Sequence, residues 1–113
     1  MNGPTRGAIL FSAVSGAAAS MTSISPSIAS FGTYYYISGN VVGGVTIASL
    51  PQPAAASNIG KYWTIRNSST SGDTTLTVTY ASGASGFTTA QTTLYSNTSI
   101  TVVAYNTTQY IFF

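Results

Sequence analysis

Apolar and polar side chains alternate along much of the chain, and this alternation is the pattern of β-strands that bury one face. The strongest case is residues 74–80, where Leu76 and Val78 share one face and threonines occupy the other, because successive side chains of a strand point to opposite faces. Residues 60–67 alternate in the same way and place the only tryptophan, Trp63, on the apolar face. We therefore predict a strand with one buried face at each place.

Four other segments are rich in β-branched and aromatic residues and are bounded by turn residues, which is typical of strands. These segments are residues 33–38, 45–50, 99–105 and 109–113. The last two are expected to pair as a hairpin, and a short, irregular strand is expected within residues 87–95. No part of residues 31–113 repeats its apolar positions with the period of a helix, so we predict that this part is all-β.

The segments between the strands are short and contain turn-forming residues, which is typical of a small antiparallel β-sandwich or a jelly-roll-like barrel. We assign residues 31–113 to this domain. Gly39-Asn40 and Gly43-Gly44 each offer a hairpin turn after the first strand, so the register there stays open. The strand pairing around residues 81–96 stays open as well.

Residues 1–30 differ in composition, with a run of small and apolar residues at 8–19 behind a single cation, Arg6. This run resembles the apolar region of a secretory signal peptide, but it is shorter than the roughly 20 residues that span a bilayer. We predict no membrane span and favour an extended N-terminal arm over residues 1–30 that docks on a neighbouring subunit. Deleting the arm is then expected to leave the domain folded. A targeting segment over residues 1–19 is the alternative.

Charged residues are unusually rare. Arg6, Lys61, Arg66 and Asp73 make up 4% of the chain, against about 25% in an average globular protein, and 17 serines and 18 threonines supply most of the polar groups. Such a surface costs little to bury against a partner, which favours a subunit of a permanent assembly and a homo-oligomer. The net charge of +2 is too small for a nucleic-acid-binding surface.

The residue types for catalysis are nearly absent. The chain has no cysteine, no histidine and one acidic residue, so it lacks the groups for acid-base catalysis and for thiolate metal sites. We predict a protein that is not an enzyme, with no catalytic residue, cofactor or metal. Lys61 is best interpreted as a solvated strand-edge lysine rather than as the base for a serine nucleophile. Asp73 is interpreted as a turn residue that could pair with Arg66.

Five tyrosines are the contact residues that the sequence suggests for a glycan or a protein partner. They are Tyr34, Tyr35, Tyr36, Tyr62 and Tyr105. Aromatic rings stack on sugar faces, so a glycan-binding patch is one interpretation. We favour the other, in which these tyrosines fill the core and a subunit contact, because buried rings with a polar tip suit both places.

The order of the strand blocks along residues 34–113 carries a family resemblance. The blocks are Val45-Thr46-Ile47 leading to Leu50-Pro51, Gly60, Tyr62-Trp63-Thr64-Ile65-Arg66-Asn67, Leu76-Thr77-Val78, Ser99-Ile100-Thr101-Val102-Val103 and Tyr110-Ile111-Phe112. In this order they resemble a β-module of virion surface proteins, which occurs in phage tail fibres and spikes and in capsid-associated proteins of large DNA viruses. The chain departs from the pattern at residues 86–89, where members often carry Asp-x-Ile, and at Tyr110, where the last strand often has Trp.

This resemblance implies a non-enzymatic building block of a virus particle, often a trimer, at the capsid surface. The chain would be a minor capsid or decoration protein, or a small fibre head, that contacts the major capsid protein or other virion proteins. Two alternatives stay open. One is a receptor- or glycan-binding head of a viral fibre, and the other is a secreted, extracellular adhesin-like subunit whose mature chain starts near Ser20.

Overall fold

A computed structural model describes residues 10–16 and 20–113 of the chain. Its ten strands are β1 Leu10–Gly16, β2 Thr22–Ile24, β3 Thr33–Gly39, β4 Val45–Leu50, β5 Tyr62–Asn67, β6 Thr74–Tyr80, β7 Ser85–Gly86, β8 Thr93–Leu94, β9 Ser99–Ala104 and β10 Gln109–Phe112. Two single-turn 3₁₀ helices, Ile28–Ser30 and Ala56–Asn58, lie in the connections. The all-β class is confirmed, and the bounds of the six long strands after residue 30 agree with the alternation.

The strands form two sheets that share one core. The six-stranded sheet has the order β1-β3-β5-β9-β10-β7, and the four-stranded sheet has the order β2-β4-β6-β8. The first six strands alternate between the two sheets, so every second strand returns in the same direction and pairs in parallel. The chain then adds β7, β9 and β10 to the larger sheet and β8 to the smaller one. β9 and β10 pair in antiparallel directions as the predicted hairpin.

The pairing therefore corrects part of the fold prediction. Antiparallel pairing, expected throughout, holds for three of the eight strand pairs, and the other five are parallel. The segment after β3 does not turn back as a hairpin but crosses to the other sheet. Gly16 and Gly39 lie side by side at this corner, where a Cβ on Gly16 would come within 2.5 Å of the Asn40 carbonyl oxygen.

Two strands from the N-terminal region, β1 and β2, belong to these same sheets. β1 pairs with β3 over its whole length, β2 pairs with β4, and Ile24 is 2% exposed in the common core. The arm predicted over residues 1–30 is thus not a separate unit here, because deleting it would remove an edge strand from each sheet. Cleavage near Ser20 would likewise remove β1. The parts of that prediction that fall on residues 1–9 and 17–19 lie outside the described residues.

Trp63 on β5 occupies the centre of the core with no exposed surface. Its ring stacks on Phe31 with the ring centroids 4.3 Å apart and meets Tyr110 at 5.6 Å. The indole N–H donates to the Ser30 hydroxyl at 3.2 Å. Tyr110, which is also fully buried, donates its hydroxyl to the Pro51 carbonyl, and burial raises the pKa of this tyrosine well above its ordinary value. These contacts hold β10 against the centre of the core.

A buried polar cluster surrounds Asn67 where β5 turns toward β6. Asn67 has no exposed surface. Its Nδ2 donates to the carbonyls of Gly72 at 2.9 Å and Leu94 at 3.0 Å, and its Oδ1 accepts from the N–H of Ser69 at 3.0 Å and from the Ser69 hydroxyl at 2.7 Å. Every donor and acceptor of this amide therefore has a partner, and the cluster joins the corner after β5 to the end of β8.

Candidate functional site

The outer face of the six-stranded sheet carries nearly all the strongly exposed aromatic side chains of the described residues. We call this surface the aromatic face and define it by the residues Phe11, Tyr34, Tyr36, Tyr62, Phe87, Tyr105 and Phe113. Tyr34 is half-buried, and the other six are between 41% and 70% exposed. One further strongly exposed aromatic, Tyr95, lies in the connection after β8.

Strand alternation places these side chains on one side. On β3, Tyr35 and Ile37 point into the core, so Tyr34 and Tyr36 point outward. The register then sets their neighbours. Tyr34 lies between Phe11 on β1 and Thr64 on β5. Because neighbouring positions of paired strands point the same way, the outward residues of β1, β3 and β5 form one surface. Phe87, Tyr105 and Phe113 directly follow β7, β9 and β10 of the same sheet.

A pair of aromatic rings marks each margin of this surface. On the β1 side, the ring centroids of Phe11 and Tyr34 are 5.3 Å apart, and near β7 those of Phe87 and Tyr105 are 4.1 Å apart in a stacked arrangement. With strands about 4.8 Å apart, the face from β1 to β7 is about 24 Å wide. It is therefore wide enough to contact a protein surface and too broad to be a small-molecule cleft.

The middle of the face is apolar or hydroxyl-bearing. Tyr62 lies beside Val103, and Thr64 lies beside Thr101. Arg66 is the one charged side chain among the described residues of these outward positions, and its Nε donates to the Ser68 hydroxyl at 3.1 Å. Aromatic enrichment with few charges is the composition of protein interface cores, and contiguous exposed apolar surface usually marks an interaction site.

The structure separates the five predicted contact tyrosines into two groups. Tyr34, Tyr36, Tyr62 and Tyr105 belong to the aromatic face, whereas Tyr35 is 8% exposed and lies between the sheets, with its hydroxyl 3.4 Å from that of Ser30. Tyr35 is therefore a core residue, because three consecutive strand residues cannot share a face.

Three residues of the face were missed by the sequence reasoning. Phe11 was placed in the arm, because the residues around it do not alternate clearly between apolar and polar. Phe87 was assigned only to an irregular strand. Phe113 was treated as the end of the last strand; it is 70% exposed, whereas its neighbour Phe112 packs against the core.

The three charged residues of the described part of the chain, Lys61, Arg66 and Asp73, do not assemble into a site. Lys61 lines a depression of about 330 Å³ together with Ile28, Ala29, Phe31, Gly32 and Tyr62, and none of these is a serine. Asp73 lies past the other end of β5, where its Oδ1 accepts from the N–H of Ser96 at 2.8 Å. The pair predicted between Arg66 and Asp73 is therefore not formed, since each side chain has a different partner.

A second concave surface runs along the later half of β6. The short β8 pairs only with Thr74 and Thr75, so the rest of β6 faces the loop 86–92 across a groove of about 600 Å³. Its lining is rich in threonine and contains no charged residue. Burial raises the pKa of Tyr80 in this lining.

Among residues 10–16 and 20–113, no group of three or more His, Cys, Asp or Glu side chains could hold a metal ion. No helix in the same residues has the length and apolar character needed to cross a membrane.

The fold and this surface define an all-β protein of two mixed sheets with an exposed aromatic face on the larger sheet. No protein-family model matches the chain, and no curated protein or solved structure matches it.

Proposed function

We propose that this chain is a non-enzymatic structural protein of a virus particle that docks on the viral shell through its aromatic face. It would serve as a minor capsid or decoration protein, or as a small fibre head. The observation that carries the docking proposal is the aromatic face itself, where six rings are between 41% and 70% exposed beside a single guanidinium group. A free surface of this kind is unfavourable in water, and a partner that covers it removes that cost.

The energy available from covering the face is substantial. A fully buried aromatic side chain removes about 150–250 Å² from water, so covering a half-exposed ring removes about 100 Å² and contributes about 2.5 kcal/mol at 25 cal/mol per Å². Several such rings together exceed the lower estimates of about 4 kcal/mol for the cost of association. The small number of charges means that little desolvation of ions opposes this gain.

The resemblance of the strand blocks along residues 34–113 to virion surface modules supports the proposal that the chain belongs to a virus particle. By that resemblance, the partner is the major capsid protein or another virion protein, at the capsid surface. The scarcity of charged residues, 4% of the chain, supports the more general statement that the chain works inside a permanent assembly.

The double substitution Tyr36→Asp and Tyr62→Asp is expected to reduce loading onto particles by about tenfold or more, because it buries two unpaired carboxylates in the interface. Both side chains are strongly exposed, at 41% and 50%, so the chain should remain folded. The measurement is the ratio of this chain to the major shell protein in purified particles.

Tyr95→Asp is the matched control, because Tyr95 is 54% exposed but lies in the connection between β8 and β9 rather than among the residues that define the aromatic face. It should load like the unaltered chain. Equal loading of the double variant and the unaltered chain would contradict docking through this face. Absence of the chain from purified particles would contradict the virion setting.

A glycan-binding head is the second candidate. Tyr36 on β3 lies beside Arg66, and Tyr62 is two residues before Thr64 on β5. Exposed rings can stack on a sugar, and hydroxyl and guanidinium groups can bond its hydroxyls. A glycan array probed with the chain separates the two candidates. Specific binding that is lost in Tyr62→Ala and kept in Tyr95→Ala would favour the glycan-binding head.

A further inference from the structure

Strand β1 forms one edge of the six-stranded sheet, and among the described residues only β3 pairs with it. The seven residues of β1 keep a continuous register with β3 from Leu10 to Gly16. The outer side of β1 therefore presents a regular row of peptide groups. Such a row is a template for another strand.

The hydrogen bonds of β3 show which peptide groups of β1 face outward. The carbonyls of Ile37 and Gly39 accept from Ser68 and Thr70, which follow β5, so these two residues face β5. Because successive residues of a strand direct their peptide groups to opposite sides, Ser38, which lies between them, faces β1.

On β1, the carbonyl of Val14 points back toward β3, where the Ser38 hydroxyl lies 3.4 Å from it. By the same alternation, the peptide groups of Phe11, Ala13 and Ser15 face away from β3. No described residue donates to them or accepts from them. The open edge thus offers three N–H groups and three carbonyls, spaced two residues apart and symmetric about Ala13.

This edge lacks the features that proteins use to prevent edge pairing. The strand contains no charged residue and no proline, and its register shows no bulge, whereas exposed edges usually carry a lysine, a proline or a bulge. Leu10 and Phe11, whose side chains are 56% and 67% exposed, add apolar surface next to this edge. A partner strand would meet no electrostatic barrier here.

We propose that β1 pairs with β1 of a second copy of this chain, in antiparallel direction about a two-fold axis through Ala13. The same edge on two identical chains can meet in this symmetric way, and the resulting contact is closed. In this register Phe11 lies opposite Ser15 of the second copy, and Ala13 lies opposite Ala13 of the second copy. The outward N–H and carbonyl groups of Phe11, Ala13 and Ser15 are then all paired.

The side chains fit this arrangement. The side chain of Ala13 is exposed, points out of the sheet face rather than toward the open edge, and is small enough to sit at the axis without a clash. The two six-stranded sheets become one continuous sheet, and the two aromatic faces become one surface. The pairing is independent of the docking partner, so it can stand even if the proposed function fails.

Two charge variants at the axis test this pairing. Ala13→Lys and Ala13→Asp each place like charges directly opposite one another. Each variant alone is therefore expected to self-associate at least about tenfold more weakly than the unaltered chain. An equimolar mixture of the two places a lysine opposite an aspartate and should form the dimer again. The measurement is solution mass by light scattering after size-exclusion chromatography, with circular dichroism to verify folding.

The unaltered chain is expected at twice its mass of 11.6 kDa, and each charge variant at the mass of one chain. Ala13→Thr, which keeps the N–H and adds no charge, is the control and should remain dimeric. Ala13→Pro removes an N–H that only the second copy would use and should give folded single chains. A single-chain mass for the unaltered protein, a mass of three chains, or charge variants that dimerise alone would each overturn the proposal.

Discussion

Trp63→Ala is expected to lower the free energy of unfolding by about 3–5 kcal/mol, the range for deleting a large aromatic side chain from a core. Trp63 has no exposed surface and contacts Phe31 and Tyr110 from two sides. The substitution leaves a cavity and also removes the donor to the Ser30 hydroxyl. Small domains have about 5–15 kcal/mol of stability in total, so a large part of it depends on this one side chain.

Chemical denaturation followed by far-ultraviolet circular dichroism measures this loss. Tyr95→Ala is the appropriate comparison, because it removes an aromatic side chain that is 54% exposed and should change stability by about 0.5 kcal/mol or less. Similar stabilities for the two variants would mean that Trp63 does not occupy the centre of the core.

Asn67→Ala is expected to destabilise the fold by about 3 kcal/mol, which is large for a polar residue. The substitution leaves the carbonyls of Gly72 and Leu94 and the N–H of Ser69 without their present partners. A buried polar group that loses its partner costs about 1–3 kcal/mol. Relaxation of the corner reduces the total loss of stability below the sum of these separate costs.

Asn40→Ala provides the control for this prediction. Asn40 is exposed, and its Oδ1 accepts one local hydrogen bond, from the N–H of Val42 at 3.0 Å. Its removal should change the midpoint of denaturation only slightly, because water replaces that bond. If Asn67→Ala unfolds at the same denaturant concentration as Asn40→Ala, the buried cluster does not fasten the corner between β5 and β6.

The strands and their buried faces could be predicted because they depend on local alternation. The segments that became β4 and β6 were predicted with the bounds that the structure shows. The direction of pairing could not be predicted in the same way, because it depends on which sheet the chain enters after each strand. At Gly39 a hairpin and a crossing to the other sheet are both compatible with the same local residues.

Alternation also explains how much of the aromatic face could be predicted from the sequence. It separates the outward Tyr34 and Tyr36 from the buried Tyr35, so this distinction could have been drawn from the pattern alone. The contact of Phe87 with Tyr105 could not, because those rings approach each other only once both β7 and β9 pair with β10.

The N-terminal segment shows how composition can hide a strand. Its small residues suggested an arm, yet the residues from Leu10 to Gly16 pair in register with β3. Alternation in β1 is weak because the strand lies at an edge and buries little of either face. Tertiary pairing therefore decides its conformation more than its own residues do.

Hydroxyl-radical footprinting of the chain, free and within purified particles, tests most directly whether the aromatic face is the docking surface. We expect Tyr36, Tyr62 and Phe113 to be oxidised in the free chain and protected in the particle, while Tyr95 reacts equally in both. Equal oxidation of the aromatic face in the two states, or protection of Tyr95 alone, would contradict this account.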